Sequence, residues 1–89
     1  MTKITTPDLT FLKLTWACRR GMLELDVLLG HFLKTFYFLW NDDEKSDFLK
    51  LLDYPDPSLY AYLMGYETIP DLALSSLVHR IRSHARFSS

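Results

Sequence analysis

The residues best suited to chemistry lie in one short string, Arg19-Arg20-Gly21-Met22-Leu23-Glu24, where two cations, a glycine and a carboxylate fall within six positions. Such a string can close one helix and open the next, with cations near a helix C-terminus and an acid in the following first turn. It can equally form an exposed corner that docks into a polar or acidic cleft of another protein. Cys18 adjoins it, and neighbouring cations can lower a thiol pKa, although a small apolar helix residue is the simpler role. His79 and His84 are five residues apart, about 140° around a helix, and His31 is remote in sequence, so the histidines lack metal-ligand spacing. Asp42, Asp43, Glu44 and Asp47 lack the alternating ligands and central glycine of a calcium loop. There is also no glycine-rich phosphate loop and no Cys-x-x-Cys pair. The inventory points to a binding protein without a catalytic site of its own.

Helices must position these residues, because the apolar pattern has helical periods and shows no convincing strand. Met22, Leu25, Leu29, Phe32, Phe36 and Leu39 alternate three and four apart, which predicts a second helix with one apolar seam. Ahead of it, Thr6-Pro7-Asp8 is a start signal, and Leu9, Leu12 and Trp16 share a face of a first helix from about Pro7 to Arg19 or Arg20. Gly21 suits the left-handed stop after that helix. Asn41-Asp42-Asp43-Glu44 predicts a capping box opening a third helix with Phe48, Leu51 and Leu52 inside. Asp56-Pro57 opens a fourth, with Leu59, Tyr60, Leu63 and Met64 buried and Gly65 near its end. Thr68-Ile69-Pro70-Asp71 opens a fifth, carrying Leu74, Leu77, Val78 and Ile81. The expected fold is all-α, a compact five-helix bundle in a single domain over residues 1–89, ordered from about 7 to 84 with frayed termini.

Length and composition agree with this. Eighty-nine residues leave room for one core, and 48% hydrophobic with 24% charged residues excludes a disordered chain. A net charge of −1 argues against nucleic-acid binding, although His79, Arg80, Arg82, His84 and Arg86 form a basic stripe whose affinity for phosphate would fall steeply with salt. One cysteine excludes an internal disulfide, and no stretch is long and apolar enough for membrane insertion, which predicts a cytoplasmic protein. The run Phe36-Tyr37-Phe38-Leu39-Trp40 holds more aromatic bulk than one helix face can bury, so part of it should be exposed or covered by the fifth helix.

The segment Trp16-Ala17-Cys18-Arg19-Arg20-Gly21-Met22-Leu23-Glu24-Leu25-Asp26 resembles the Arg-Gly-x-x-Glu signature of the succinate dehydrogenase assembly factors, the small flavinylation factors of bacteria and mitochondria. The likeness continues through Tyr37, Asp42-Asp43-Glu44-Lys45, Phe48, Leu51-Leu52 and the segment Asp56 to Met64. It implies a five-helix bundle that binds the flavoprotein subunit of succinate dehydrogenase, and of fumarate reductase, and promotes covalent attachment of FAD to a histidine there. It further implies that the factor is no catalyst and binds no cofactor stably, the FAD belonging to the partner. By this resemblance Arg20, Gly21 and Glu24 are the motif positions of the partner-binding surface, flanked by Trp16, Arg19 and Asp26. Arg19 and Arg20 would pair with acceptors on the flavoprotein, Gly21 would allow close approach, and Glu24 would orient the loop. The factor is expected to be a monomer or weak dimer. A second reading of the same family is the antitoxin half of a toxin–antitoxin pair. Two departures from the bacterial pattern are Tyr62, where many members have Trp, and Phe38-Leu39-Trp40, where they have a polar Asp-Ser-Leu.

Overall fold

In a computed structural model, residues 8–88 form five α-helices and no strand is present among these described residues: α1 (Leu9–Ala17), α2 (Leu23–Phe36), α3 (Asp42–Leu52), α4 (Asp56–Met64) and α5 (Leu72–Ser88). A 3₁₀ turn, Tyr37–Leu39, follows α2. Side chains are described to Ala85, so the start signal at Thr6-Pro7 and the side chains of the tail from Arg86 to Ser89 lie outside the described residues.

The capping signals act where expected. Asn41 accepts from the Glu44 amide at 2.8 Å while the Glu44 carboxylate accepts from the Asn41 amide at 3.0 Å, a reciprocal box that satisfies two donors at the α3 N-terminus. Asp71 caps α5 through the Leu74 amide at 3.1 Å. Pro57 sits in the first turn of α4, and Gly65 ends that helix at φ +83°, a left-handed conformation that favours glycine, with the Arg82 guanidinium lying over it.

The core is built from the predicted faces of α2, α3 and α5 and from Leu59 and Leu63 of α4, whose Tyr60 and Met64, expected inside, are only half-buried against it. Leu25, Leu29 and Phe32 meet Phe48, Leu51, Leu59, Leu63, Leu74, Leu77, Val78 and Ile81, all buried. α5 packs across α2, α3 and α4, while α1 leans on α2 and α3. Phe32 is the hub: its ring is 4.9 Å from Phe36, 5.8 Å from Trp40, 6.3 Å from Phe48 and 5.8 Å from His84.

Three expectations about the first two helices are corrected. α1 ends at Ala17 rather than at the arginines, because Cys18 and Arg19 leave through 3₁₀-type bonds to Thr15 and Trp16 carbonyls. The stripe Leu9, Leu12 and Trp16 faces solvent, and the packed side is instead Phe11, Leu14 and Cys18, which has the same spacing. α2 stops at Phe36 instead of running its seam to Leu39. The tighter 3₁₀ turn brings Tyr37 and Trp40, three apart, to the core and turns Phe38 (73% exposed) and Leu39 (78% exposed) outward. The aromatic run is thus divided, half core and half surface.

Asp8 joins α1 to that turn. Its carboxylate accepts from the Phe11 amide at 3.1 Å and from the Tyr37 hydroxyl at 2.9 Å, and these bonds, the amide's foremost, hold the carboxyl below its ordinary value. A carboxyl that titrates lower folded than unfolded stabilises at neutral pH, and that contribution is lost as pH falls through the folded value, below about pH 4. The melting-temperature deficit of Asp8→Ala is therefore expected to be larger at pH 6 than near pH 2.5, which paired thermal melts will check.

Candidate partner-binding surface

The residues from Trp16 to Asp26 form a corner between α1 and α2, and the structure divides them into an inward and an outward set. Arg20 is the centre of the inward set. Its Nε donates to Asp56 Oδ1 at 2.7 Å, Nη1 to the carbonyls of Leu52 at 2.6 Å and Ala17 at 3.1 Å, and Nη2 to the Tyr54 carbonyl at 2.7 Å. The acceptors are the last turn of α1, the end of α3, the α3–α4 connection and the first turn of α4, so one guanidinium ties together four places. Leu52 and Tyr54 lie where a helix C-terminus leaves carbonyls without amide partners, which is what a planar cation with several donors can satisfy. The Arg20 backbone amide donates to Asp26 Oδ1 at 2.7 Å. Both the backbone and the side chain of Arg20 are thereby fixed, and its side chain is 14% exposed.

Of the two arginines expected to pair with a partner, Arg20 has its guanidinium bonded within the chain, because the helix ends around it present carbonyls and a carboxylate. The carboxylate that holds the loop backbone is that of Asp26, six residues beyond Arg20 and one turn inside α2, rather than that of Glu24.

The outward set is Trp16, Arg19, Gly21, Leu23, Glu24 and Val27. Trp16 is 70% exposed with the Arg19 guanidinium 5.3 Å above its ring, a cation–π arrangement on the surface. Gly21 has φ +84°, and among the described residues no atom beyond its chain neighbours lies within 4 Å of where a Cβ would stand, so the left-handed backbone borders open space. It does not end α1, as expected, but turns the chain into α2. Leu23 (77% exposed) and Val27 lie one turn apart on α2 with nothing of the bundle over them. Glu24 stands beside Tyr60 of α4 and its negative charge, ahead of burial, pushes the Tyr60 hydroxyl up from its ordinary value. Tyr66 extends this aromatic edge at 6.3 Å. Large exposed apolar groups around an unobstructed glycine, with charges of both signs beside them, are the makings of a protein-docking surface.

Cys18 takes no part in it. The thiol is buried in the core, and burial outweighs the pull of Arg20 and lifts its pKa to about 12, so it stays a neutral thiol at physiological pH. His31 and His84, distant in sequence, stack at 5.0 Å with 3.2 Å between Nδ1 and Nε2, joining α2 to α5. Among the described residues no three potential metal ligands gather. Of the acids of α3, Glu44 completes the capping box and Asp42 and Asp43 lie in the first turn, and Arg80 of the basic stripe pairs with Glu44 at 3.8 Å.

Sequence reasoning missed Asp56 and Tyr60 as parts of this corner. Asp56 lies 36 residues from Arg20 and read only as a helix start, and no spacing rule links the two. The one available signal was an acid in a first turn, which helix capping already explains.

Residues 12–85 match the family model described as flavinator of succinate dehydrogenase. The chain is 45% identical over 73 residues to the FAD assembly factor SdhE of Shewanella oneidensis, covering 82% of this chain and 89% of that one. It is 41% identical over 70 residues to that of Coxiella burnetii (79% and 85%) and 40% over 72 residues to that of Vibrio cholerae (81% and 84%). With the Arg20-Gly21-x-x-Glu24 string intact on an open corner, this chain belongs to the flavinator of succinate dehydrogenase family.

Proposed function

We propose that this protein is an FAD assembly factor that docks on the flavoprotein subunit of succinate dehydrogenase, and of fumarate reductase, and promotes covalent attachment of FAD to a histidine of that subunit. The observation that carries this reading is the open left-handed turn at Gly21, bordered by exposed Trp16, Arg19, Leu23 and Glu24. A partner backbone can approach there without meeting a side chain. The factor contributes contacts and orientation, the FAD stays with the partner, and the chemistry takes place in the flavoprotein. Action as a cytoplasmic monomer or weak dimer completes the proposal, and no helix of the described residues is long and apolar enough to cross a membrane.

Glu24 is the residue to test, because it is exposed and holds neither the loop nor the core. Glu24→Ala is expected to leave the melting temperature within a degree or two of the parent, as surface substitutions do, while covalent flavin in the partner subunit falls at least tenfold. In-gel flavin fluorescence of cell extracts reads this directly. Full covalent FAD in cells carrying only the variant would overturn the assignment, and capture of a small membrane protein in place of a flavoprotein would favour the antitoxin reading.

A further inference from the structure

We infer that Arg20 and Asp56 are positioning residues for partner docking: Arg20 shapes the surface from inside through Asp56 and makes no direct ion pair with the flavoprotein. The inference rests on the docking function proposed above and assigns a division of labour within its motif. A guanidinium carries five N–H donors. Four of Arg20's are bonded within the chain, one from Nε, two from Nη1 and one from Nη2. One Nη2 hydrogen is left, so a partner carboxylate cannot form the two-pronged pair that makes arginine effective in recognition. Reaching outward would require breaking bonds to helix-end carbonyls that have no amide of their own to replace it.

What those bonds accomplish is local. Gly21 follows directly on a residue whose amide is held by Asp26 and whose side chain is held by α3 and α4. The position of the left-handed turn relative to α4 is thereby set, and with it the distance from Glu24 to Tyr60. Asp56 is the charged member of the set and is 36% exposed, so its pairing with Arg20 is the one bond a surface mutation can remove while leaving α4's backbone bonds intact. Gly21 and Glu24 meet the partner; Arg20 and Asp56 determine where they stand.

The test is a double-mutant cycle read by binding of the purified, FAD-loaded flavoprotein subunit of succinate dehydrogenase to the full chain. Asp56→Ala, which removes the acceptor, is expected to weaken binding about tenfold, Arg20→Gln to weaken it at least as much, and the double variant to bind no worse than Arg20→Gln alone. Arg20→Lys, which keeps the charge and loses the fork, is expected not to restore binding. Amide exchange in the free chain supplies the second readout: Gly21 and Met22 should exchange several-fold faster in Asp56→Ala, and at the parental rate in Glu24→Ala. Parental binding by Asp56→Ala while Arg20→Gln fails, losses that multiply in the double variant, or rescue by lysine would each overturn the inference in favour of direct contact. If Glu24→Ala binds normally the docking function itself fails, and the exchange measurement still reports on the clamp, so the two failures are separable.

Discussion

Phe32→Ala is expected to lower stability by about 3–5 kcal/mol, enough to abolish the folded baseline at 37 °C. The ring is fully buried where α2, the 3₁₀ turn, α3 and α5 converge, with Phe36, Trp40, Phe48 and His84 around it and the Arg80 guanidinium 6.0 Å from its centre. Removing it deletes partners from four elements at once, and a bundle of rigid aromatic neighbours collapses poorly into the space left. An 89-residue domain has few other apolar contacts in reserve. At roughly 4–8 °C per kcal/mol for a domain of this size, the loss corresponds to a fall in melting temperature of at least about 12 °C. Circular dichroism melts of parent and variant measure it, and a fall under about 5 °C would show that the cluster is looser than its geometry implies.

That hub was legible because α2 writes its face plainly: Leu25, Leu29 and Phe32 are apolar where Glu24, Asp26 and His31 are polar, and the period decides the face. The third and fifth helices were equally readable, their caps and apolar seams agreeing. In α1 the pattern was ambiguous, since Leu9, Leu12 and Trp16 and the alternative Phe11, Leu14 and Cys18 both keep helical spacing, and only tertiary packing chooses between them. The choice that packing makes is informative, because the stripe left outside holds Trp16 beside the motif.

The corner itself was half legible. Residue types identified Arg20, Gly21 and Glu24 as a unit, and left-handed geometry at Gly21 follows from glycine's lack of a Cβ. The inward turn of Arg20 was hidden because its partners are backbone carbonyls of Leu52 and Tyr54 and a carboxylate from the far side of the chain. Carbonyls have no sequence signature. A motif arginine beside an exposed glycine reads as an outward cation unless the helix ends around it are known.

Gly21→Val is expected to keep the bundle folded and to abolish flavinylation of the partner. A β-branched residue at φ +84° costs about 1–2 kcal/mol through clash of its Cβ with its own backbone, a fall of roughly 4–16 °C in melting temperature. Packed neighbours add nothing to that cost, since among the described residues no atom beyond the adjoining residues lies within 4 Å of the Cβ position. To escape the strain the turn must leave the left-handed region, which moves Leu23 and Glu24 away from the positions set by Arg20 and Asp26. Gly21→Asn separates the two contributions, because asparagine accepts left-handed backbone at little cost while still placing a side chain in the open space. Its melting temperature should stay within about 4 °C of the parent, and its flavinylation should still fall at least tenfold, if the partner approaches the backbone itself. Parental flavinylation by the asparagine variant would show instead that the turn's shape alone matters at Gly21, with the partner held entirely by the flanking side chains of Trp16, Arg19, Leu23 and Glu24.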